Sequence, residues 1–308
     1  MAAFEPYYKV FEYRKPYSPQ TKTEFKTLFF QFFSLLFIGI GTSYLLWRWS
    51  NSLNPNALWF SIPLAFAETL MFIGSLLTII NYWRTKNLNI RPPVLYLSDI
   101  VPLENLSTNR PLKIDVFIAT YNEEMAVVED TIKDAKALLN PTECAVNIYL
   151  CDDGRRDGRN PEKENFSQLA EKYGINYFVR ENNNGFKAGN LNHAFWQTDG
   201  DLIVILDADT RVFPEFLVHL TGYFRDEKIA WVQSPQGFYD IPQGKNLSET
   251  FLGKLLPFSS KIRIGKNIFG TDPRIFYDVI LRNRNASNPA FCCGAGSVHR
   301  RSALDKLI

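Results

Sequence analysis

Residues 28–47, LFFQFFSLLFIGIGTSYLLW, carry no charge, and residues 57–83 follow almost at once with a second apolar run that holds a single charge, Glu68. About 20 apolar residues in a helix cross the hydrocarbon core of a bilayer. Both runs therefore read as transmembrane helices, the second long enough to span with some tilt. A cleaved signal peptide fits poorly, because the first run starts late and another comes straight after it. Residues 48–56 contain Asn and Pro and suit a tight turn between the two helices. The expected order is an N-terminal cytosolic segment 1–27, a hairpin 28–83, a linker 84–112 and a domain 113–308.

The flanking charges set the orientation. Lys9, Arg14, Lys15, Lys22 and Lys26 precede the first span, Arg84, Lys86 and Arg91 follow the second, and the connector holds only Arg48. Positive flanks stay on the cytoplasmic side, so both ends of the hairpin are expected there. Trp47, Trp49, Trp59, Tyr82 and Trp83 fall at the span ends, where amphipathic rings favour the interface. Near the middle of the second span a charged carboxylate costs about 2.5–3.5 kcal/mol or more, so Glu68 must be protonated or paired. Either it lines a pore or meets other membrane helices, or it is a hydrogen-bonded structural carboxyl.

Composition excludes other classes. With 34 Lys+Arg against 32 Asp+Glu the net charge is +2, too little to hold a nucleic-acid backbone, and no nucleic-acid partner is expected. A chain that is 46% hydrophobic is not intrinsically disordered. Cys144, Cys151, Cys292 and Cys293 lack the spacing of a zinc site or a disulfide framework, and reduced thiols are the simplest reading.

After the linker, strand and helix alternate. Strands are expected over 113–119, 145–151, 175–179, 202–206 and 229–233, with helices over 125–139, 162–173, 188–196 and 214–224. Such alternation implies an α/β domain with a largely parallel sheet covered by helices. Ligands of open parallel sheets bind beyond the carboxyl ends of the strands. There stand Thr120-Tyr121-Asn122-Glu123, Asp152-Asp153-Gly154 and Asp207-Ala208-Asp209. Carboxylates crowded on one rim repel unless a cation or hydrogen-bond donors offset them, which makes a divalent metal plausible. Asp207 and Asp209 can supply oxygen ligands to Mg2+ or Mn2+ while a diphosphate supplies others.

Between the acidic strand ends, Gly185-Phe186-Lys187-Ala188-Gly189-Asn190 opens a helix without the pattern of a Walker loop. A lysine with free N–H groups at a helix start suits a phosphate, and a solvated lysine beside an ordinary N-cap is the alternative. His193, His219 and His299 form no ligand pair and read as structural. The small residues around Cys292-Cys293 permit close backbone approach to a ligand or simply a packed turn. Residues 251–262 suit the membrane surface or a core about equally.

Thr-Tyr-Asn-Glu at 120–123, Cys-Asp-Asp-Gly at 151–154, Lys-Ala-Gly-Asn at 187–190, Asp-Ala-Asp at 207–209, Gln-Ser-Pro at 233–235 and Phe-Cys-Cys-Gly at 291–294 occur in that order behind two membrane helices. The constellation resembles the cellulose synthase catalytic subunit and its relatives among the processive family 2 glycosyltransferases. That resemblance implies a GT-A fold on a plasma (inner) membrane protein, which transfers a hexose, glucose from UDP-glucose in the first instance, to a growing β-glucan. It also implies Thr120, Tyr121 and Glu123 at the uridine, and Asp152 and Asp153 at the nucleoside end, with Asp153 counted as catalytic. Lys187 falls at the diphosphate, and Asp207 with Asp209 at the nucleotide and its metal. Gln233, Ser234, Pro235, Phe291, Cys292, Cys293 and Gly294 fall along the acceptor path. Implied partners are the UDP-sugar donor, the glucan acceptor, the lipid bilayer and further subunits of a polysaccharide synthase complex.

The family's general base belongs to a Thr-Glu-Asp motif shortly after Phe-x-Cys-Gly, and a later Gln-x-x-Arg-Trp grips the acceptor end. Neither follows Gly294; Glu129-Asp130 falls on the first helix of the sheet domain, and no Trp follows Trp231. The expectation is a domain incomplete at its C-terminus that lacks the general base. A membrane-tethered nucleotide-sugar binder without catalysis, a nucleotidyltransferase, and a chitin, hyaluronan or mannan type of synthase remain as alternatives.

Overall fold

Apolar runs of this length close their backbone hydrogen bonds within a helix, and both do so here. Helix α1 (Glu24–Asn51) and helix α2 (Leu58–Tyr82) are joined through a short turn at Pro55–Ala57. The computed structural model describes residues 24–83, 91–138, 144–154, 166–237, 245–246, 263–264, 275–285 and 290–306. Residues 251–262 and most of the cations flanking the hairpin lie outside them. Large apolar side chains along both helices face outward, among them Leu28, Phe32, Ile40, Trp59, Met71 and Ile80. Where the helices meet, Gly41 leaves space for the Phe72 ring, which a Cβ there would strike at 2.2 Å.

The charge of Glu68 is answered inside the hairpin. Helix α1 runs four residues beyond the expected span end, so Arg48 belongs to its last turn and not to the connector. From there Arg48 Nε donates to Glu68 Oε2 at 2.9 Å, and the Tyr44 hydroxyl donates to the same oxygen at 3.1 Å. The structural alternative for Glu68 is thereby realised in a paired form.

By internal contacts the chain divides into a unit of Met1–Leu88 with Gln236–Phe291 and a unit of Asn89–Pro235 with Cys292–Ile308. Strands among the described residues are β1 (Lys113–Thr120), β2 (Ala145–Asp152), β3 (Asn176–Val179), β4 (Leu202–Asp207), β5 (Trp231–Gln233), β6 (Lys245–Asn246), β7 (Arg263–Ile264) and β8 (Ser297–Arg300). The further helices are α3 (Met125–Lys136), α4 (Phe166–Tyr173), α5 (Phe186–Trp196), α6 (Phe216–Leu220), α7 (Arg282–Asn285) and α8 (Arg301–Leu304). Of these, β6 pairs only with β7, and α7 packs against α2 in the first unit.

The second unit is built on a sheet of order β3-β2-β1-β4-β8-β5. Strands β1 to β4 are mutually parallel, and β1 is buried along seven of its eight residues, as a strand covered on both faces must be. Strand β8 is antiparallel to both β4 and β5, which makes the α/β sheet mixed at that edge. The register aligns Thr120 with Asp152 and Ala119 with Asp207, so the three carboxyl ends finish at one level. The chain steps from β1 outward to β2 and β3, then returns to the other side of β1 for β4. That reversal is the switch point at which such sheets open a crevice.

Residues 91–112, expected as an irregular linker, are irregular but lie in this core: Val94, Ile100 and Leu112 are buried with the sheet. Their main chain passes so close to Gly222 that a Cβ there would meet Pro92 O at 2.4 Å. Arg300 fastens the same segment by donating to the carbonyls of Ile100 and Phe224 at 2.7 and 2.6 Å. The helix expected over 214–224 is accordingly shorter, with α6 passing into a 3-10 turn at Thr221–Arg225.

Candidate functional site

Three strand ends supply five carboxylates, and the protein answers them unequally. Glu123 turns back onto its own loop, where Oε2 accepts from Thr120 Oγ1 at 2.8 Å and from the Tyr121 and Asn122 amides at 2.7 and 3.1 Å. The 120–123 loop is thus organised around one carboxylate oxygen, leaving the aromatic ring of Tyr121 on a fixed backbone. Asp152 is buried; its two oxygens accept from the Gly154 amide at 2.8 Å and from the Tyr177 hydroxyl at 2.7 Å. Asp153 receives the forked guanidinium of Arg180, Nε at 2.8 Å and Nη2 at 2.6 Å.

The other two carboxylates have less support. Asp207 ends β4 and meets the Lys187 ammonium. Asp209 stands two residues on in a turn that Thr131 of α3 holds, its hydroxyl donating to the Ala208 carbonyl at 2.6 Å. The Asp209 carboxyl sits above the usual carboxylate range. Desolvation against the rim is the main cause and the charges of Asp207 and Glu123 add to it; a hydrogen bond from its own main-chain amide and the charge of Lys187 oppose it. Among the described residues no three acidic, Cys or His groups form a preformed metal cage. Both carboxylates offer hard oxygen donors in a locally negative field, which is the donor chemistry a divalent cation takes.

The Lys187 helix starts from a strained turn. Gly185 has φ 74° and Phe186 φ 49°, and Gly189 admits no Cβ because Asn184 O would lie 2.0 Å from it. Lys187 projects from the first turn of α5, whose N–H groups favour an anion.

On the β5 and β8 side, Gln233 Oε1 accepts from the Cys293 amide at 2.9 Å, and Gln233 Nε2 donates to the Ala295 carbonyl at 2.9 Å. Ser234 Oγ donates to Gly296 O at 2.8 Å, and Pro235 is exposed beside it. The Gln-Ser-Pro and Cys-Cys-Gly segments, sixty residues apart in the chain, thus form one edge, with Gly294 at φ 88°. Phe291 falls in the first unit, where its ring packs on Phe276. His299 on β8 is buried, and burial pushes its imidazole down to about 4. It shares a hydrogen bond with Ser297 Oγ at 2.9 Å, in keeping with a structural role.

Sequence reasoning passed over three residues that shape this rim: Arg180, Tyr177 and Thr131. The first two flank the end of β3 at Val179, and the rule that directs attention past each strand end would have reached Arg180 had β3 been followed as the others were.

The family model for glycosyl transferase family 2 matches residues 115–308. Cellulose synthase 2 of Novacetimonas hansenii is 30% identical over 284 residues, 90% of this chain and 15% of that protein. The UDP-forming cellulose synthase catalytic subunit of Pseudomonas fluorescens is 32% identical over 266 residues, 85% of this chain and 31% of that protein. The chain therefore spans less than a third of the length of these relatives. Among solved structures, the mannosyltransferase PcManGT from Pyrobaculum calidifontis in complex with GDP-Man and Mn2+ aligns with TM-score 0.41 at 22% identity, over 57% of this chain and 48% of that one. Since the family match takes in well over half the sequence and every strand-end motif of the rim, the chain belongs to glycosyl transferase family 2, as a cellulose-synthase-like glycosyltransferase of the GT-A type.

Proposed function

We propose that this chain binds a nucleoside diphosphate sugar, UDP-glucose, for transfer of the hexose to a growing β-glucan at the cytosolic face of a membrane. The observation that carries the reading is the meeting of Lys187 with Asp207 at the switch point of the sheet, beside the under-supported Asp209. The relatives named as UDP-forming cellulose synthases favour uridine and glucose over other donors. Positive flanks around two helices long and apolar enough to cross a bilayer favour a hairpin with both ends cytosolic.

On this reading Thr120, Tyr121 and Glu123 receive the uridine, and Asp152 and Asp153 complete the nucleoside end. Lys187 carries its charge to the diphosphate, where it offsets the negative charge that grows as UDP leaves the anomeric carbon. Asp207 and Asp209 would hold Mg2+ or Mn2+. When bound, such a cation screens the phosphate oxygens and withdraws electron density from the leaving group. The edge built from Gln233, Ser234, Pro235, Cys292, Cys293 and Gly294 would line the path of the acceptor.

The test separates charge from base recognition. Calorimetry on the 308-residue chain in detergent with Mn2+ should show UDP binding that Lys187→Met weakens by about tenfold to a hundredfold, the value of one or two charge-assisted hydrogen bonds, while uridine affinity stays level. Equal losses for UDP and uridine would make the lysine structural, and absence of UDP binding in the parent would remove the donor assignment.

A further inference from the structure

Arg180 follows β3 directly, and four of the five N–H groups a guanidinium offers are used within the protein. Two go to Asp153, one goes from Nη1 to Asn184 O at 2.8 Å, and one goes from Nη2 to Phe186 O at 3.2 Å. Both members of the ion pair are withdrawn from water, with side chains 11% and 6% exposed. The carbonyls it holds belong to the turn that opens α5, the turn with φ positive at Gly185 and at Phe186. A non-glycine residue in that region persists only where its surroundings over-determine it, and Arg180 is part of what does so. The first helical turn closes directly on the guanidinium, since a Cβ on Gly189 would lie 2.7 Å from Arg180 Nη1. Lys187 projects from this same turn. A second tie runs alongside: buried Asn190 donates from Nδ2 to the Cys151 carbonyl at 2.8 Å, just before Asp152.

We infer that Arg180 is a positioning residue, which fixes Asp153 relative to Lys187 and so sets the span that the site offers to a nucleoside diphosphate, without touching the ligand itself. The inference rests on the proposed donor reading, in which Asp153 serves the nucleoside end and Lys187 the diphosphate. Two recognition points joined in one ligand reinforce each other only while their spacing matches it. A planar fork suits this task because it reaches a carboxylate and two carbonyls at once in fixed geometry.

Arg180→Lys keeps a cation beside Asp153 but cannot serve the carboxylate and both carbonyls together. Titration of the full chain with UDP, with uridine and with inorganic diphosphate, in Mn2+, should show UDP weakened by about tenfold, the value of one net hydrogen bond or two, while uridine and diphosphate, each meeting one point only, bind nearly as before. Asn190→Ala, which leaves both ions in place, should weaken UDP in the same sense. A thermal melt run on each variant distinguishes positioning from support. Lowered melting with unchanged affinities would overturn the inference, and so would an equal loss for inorganic diphosphate, which would make Arg180 a direct diphosphate contact. Failure of the parent to bind UDP would instead strike the donor reading on which the inference depends.

Discussion

At Asp209 negative charge has accumulated faster than the protein supplies donors. Glu123, Asp152 and Asp153 are each met by amides, a hydroxyl or a guanidinium, whereas Asp209 is held above the usual carboxylate range by desolvation and by its acidic neighbours. A cation bound there relieves that field, and Asn in its place would supply a neutral and weaker ligand. Asp209→Asn is therefore expected to weaken Mn2+ by about 10–100-fold and to abolish the gain in UDP affinity that the metal gives. Calorimetry with UDP in the presence and absence of Mn2+ reads this directly, and the same Mn2+ dependence in variant and parent would count against the site. The place of Asp207 and Asp209 at the end of β4 was legible from sequence because they follow an apolar run. Arg180 stands in the same place after β3, but its partners on α5's turn are main-chain carbonyls, which leave no mark on residue type, so the strand-end rule could point to the residue and not to what it holds.

Strand β8 shows what alternation of strand and helix hides. The four parallel strands were legible as apolar runs, but β8 has only the residues Ser-Val-His-Arg, with polar groups that a buried strand rarely carries. They are tolerated because each finds a partner: Ser297 bonds His299 and the Gly294 carbonyl, and Arg300 bonds main-chain carbonyls. The insertion of β8 antiparallel between β4 and β5 is a tertiary event with no local signature. Its cost appears at His299, whose folded imidazole protonates only near about 4, against an ordinary value of 6.5. Between these values the unfolded chain binds more protons than the folded one, so stability falls as pH drops through that window and is fully present above it. The loss at the acid end is about 3 kcal/mol on a shift of this size. Melting of the full chain from pH 7 to pH 4 should show a decline that His299→Gln largely removes. An identical decline in the variant would place the acid sensitivity in other groups.

Over the whole chain, the apolar runs located the two long helices, α1 reaching four residues further at each end than expected, yet the sequence offered no partner for Glu68, because Arg48 was assigned to the connector and not to α1's last turn. Pairing the two satisfies a charge that would otherwise oppose insertion, and it sets the ion pair toward the Ser52 end of the hairpin, where Arg48 Nη1 also donates to Ser52. On the proposed topology the polar groups gathered at that end face water, and Arg48 alone is too weak a signal to hold it in the cytosol against eight flanking Lys and Arg. On the proposed topology, Asn56→Cys in the exposed connector should react with a membrane-impermeant thiol reagent added to intact cells, while Lys9→Cys should react only after permeabilisation. The native cysteines all follow the hairpin, in the second unit; Cys292 and Cys293 should behave like position 9, whereas Cys144 and Cys151 are buried and should stay unreactive in the folded chain. Labelling of Lys9→Cys from outside, or protection of Asn56→Cys in intact cells together with labelling after permeabilisation, would invert the hairpin and carry the donor-binding rim to the side of the membrane where nucleotide sugars are not supplied.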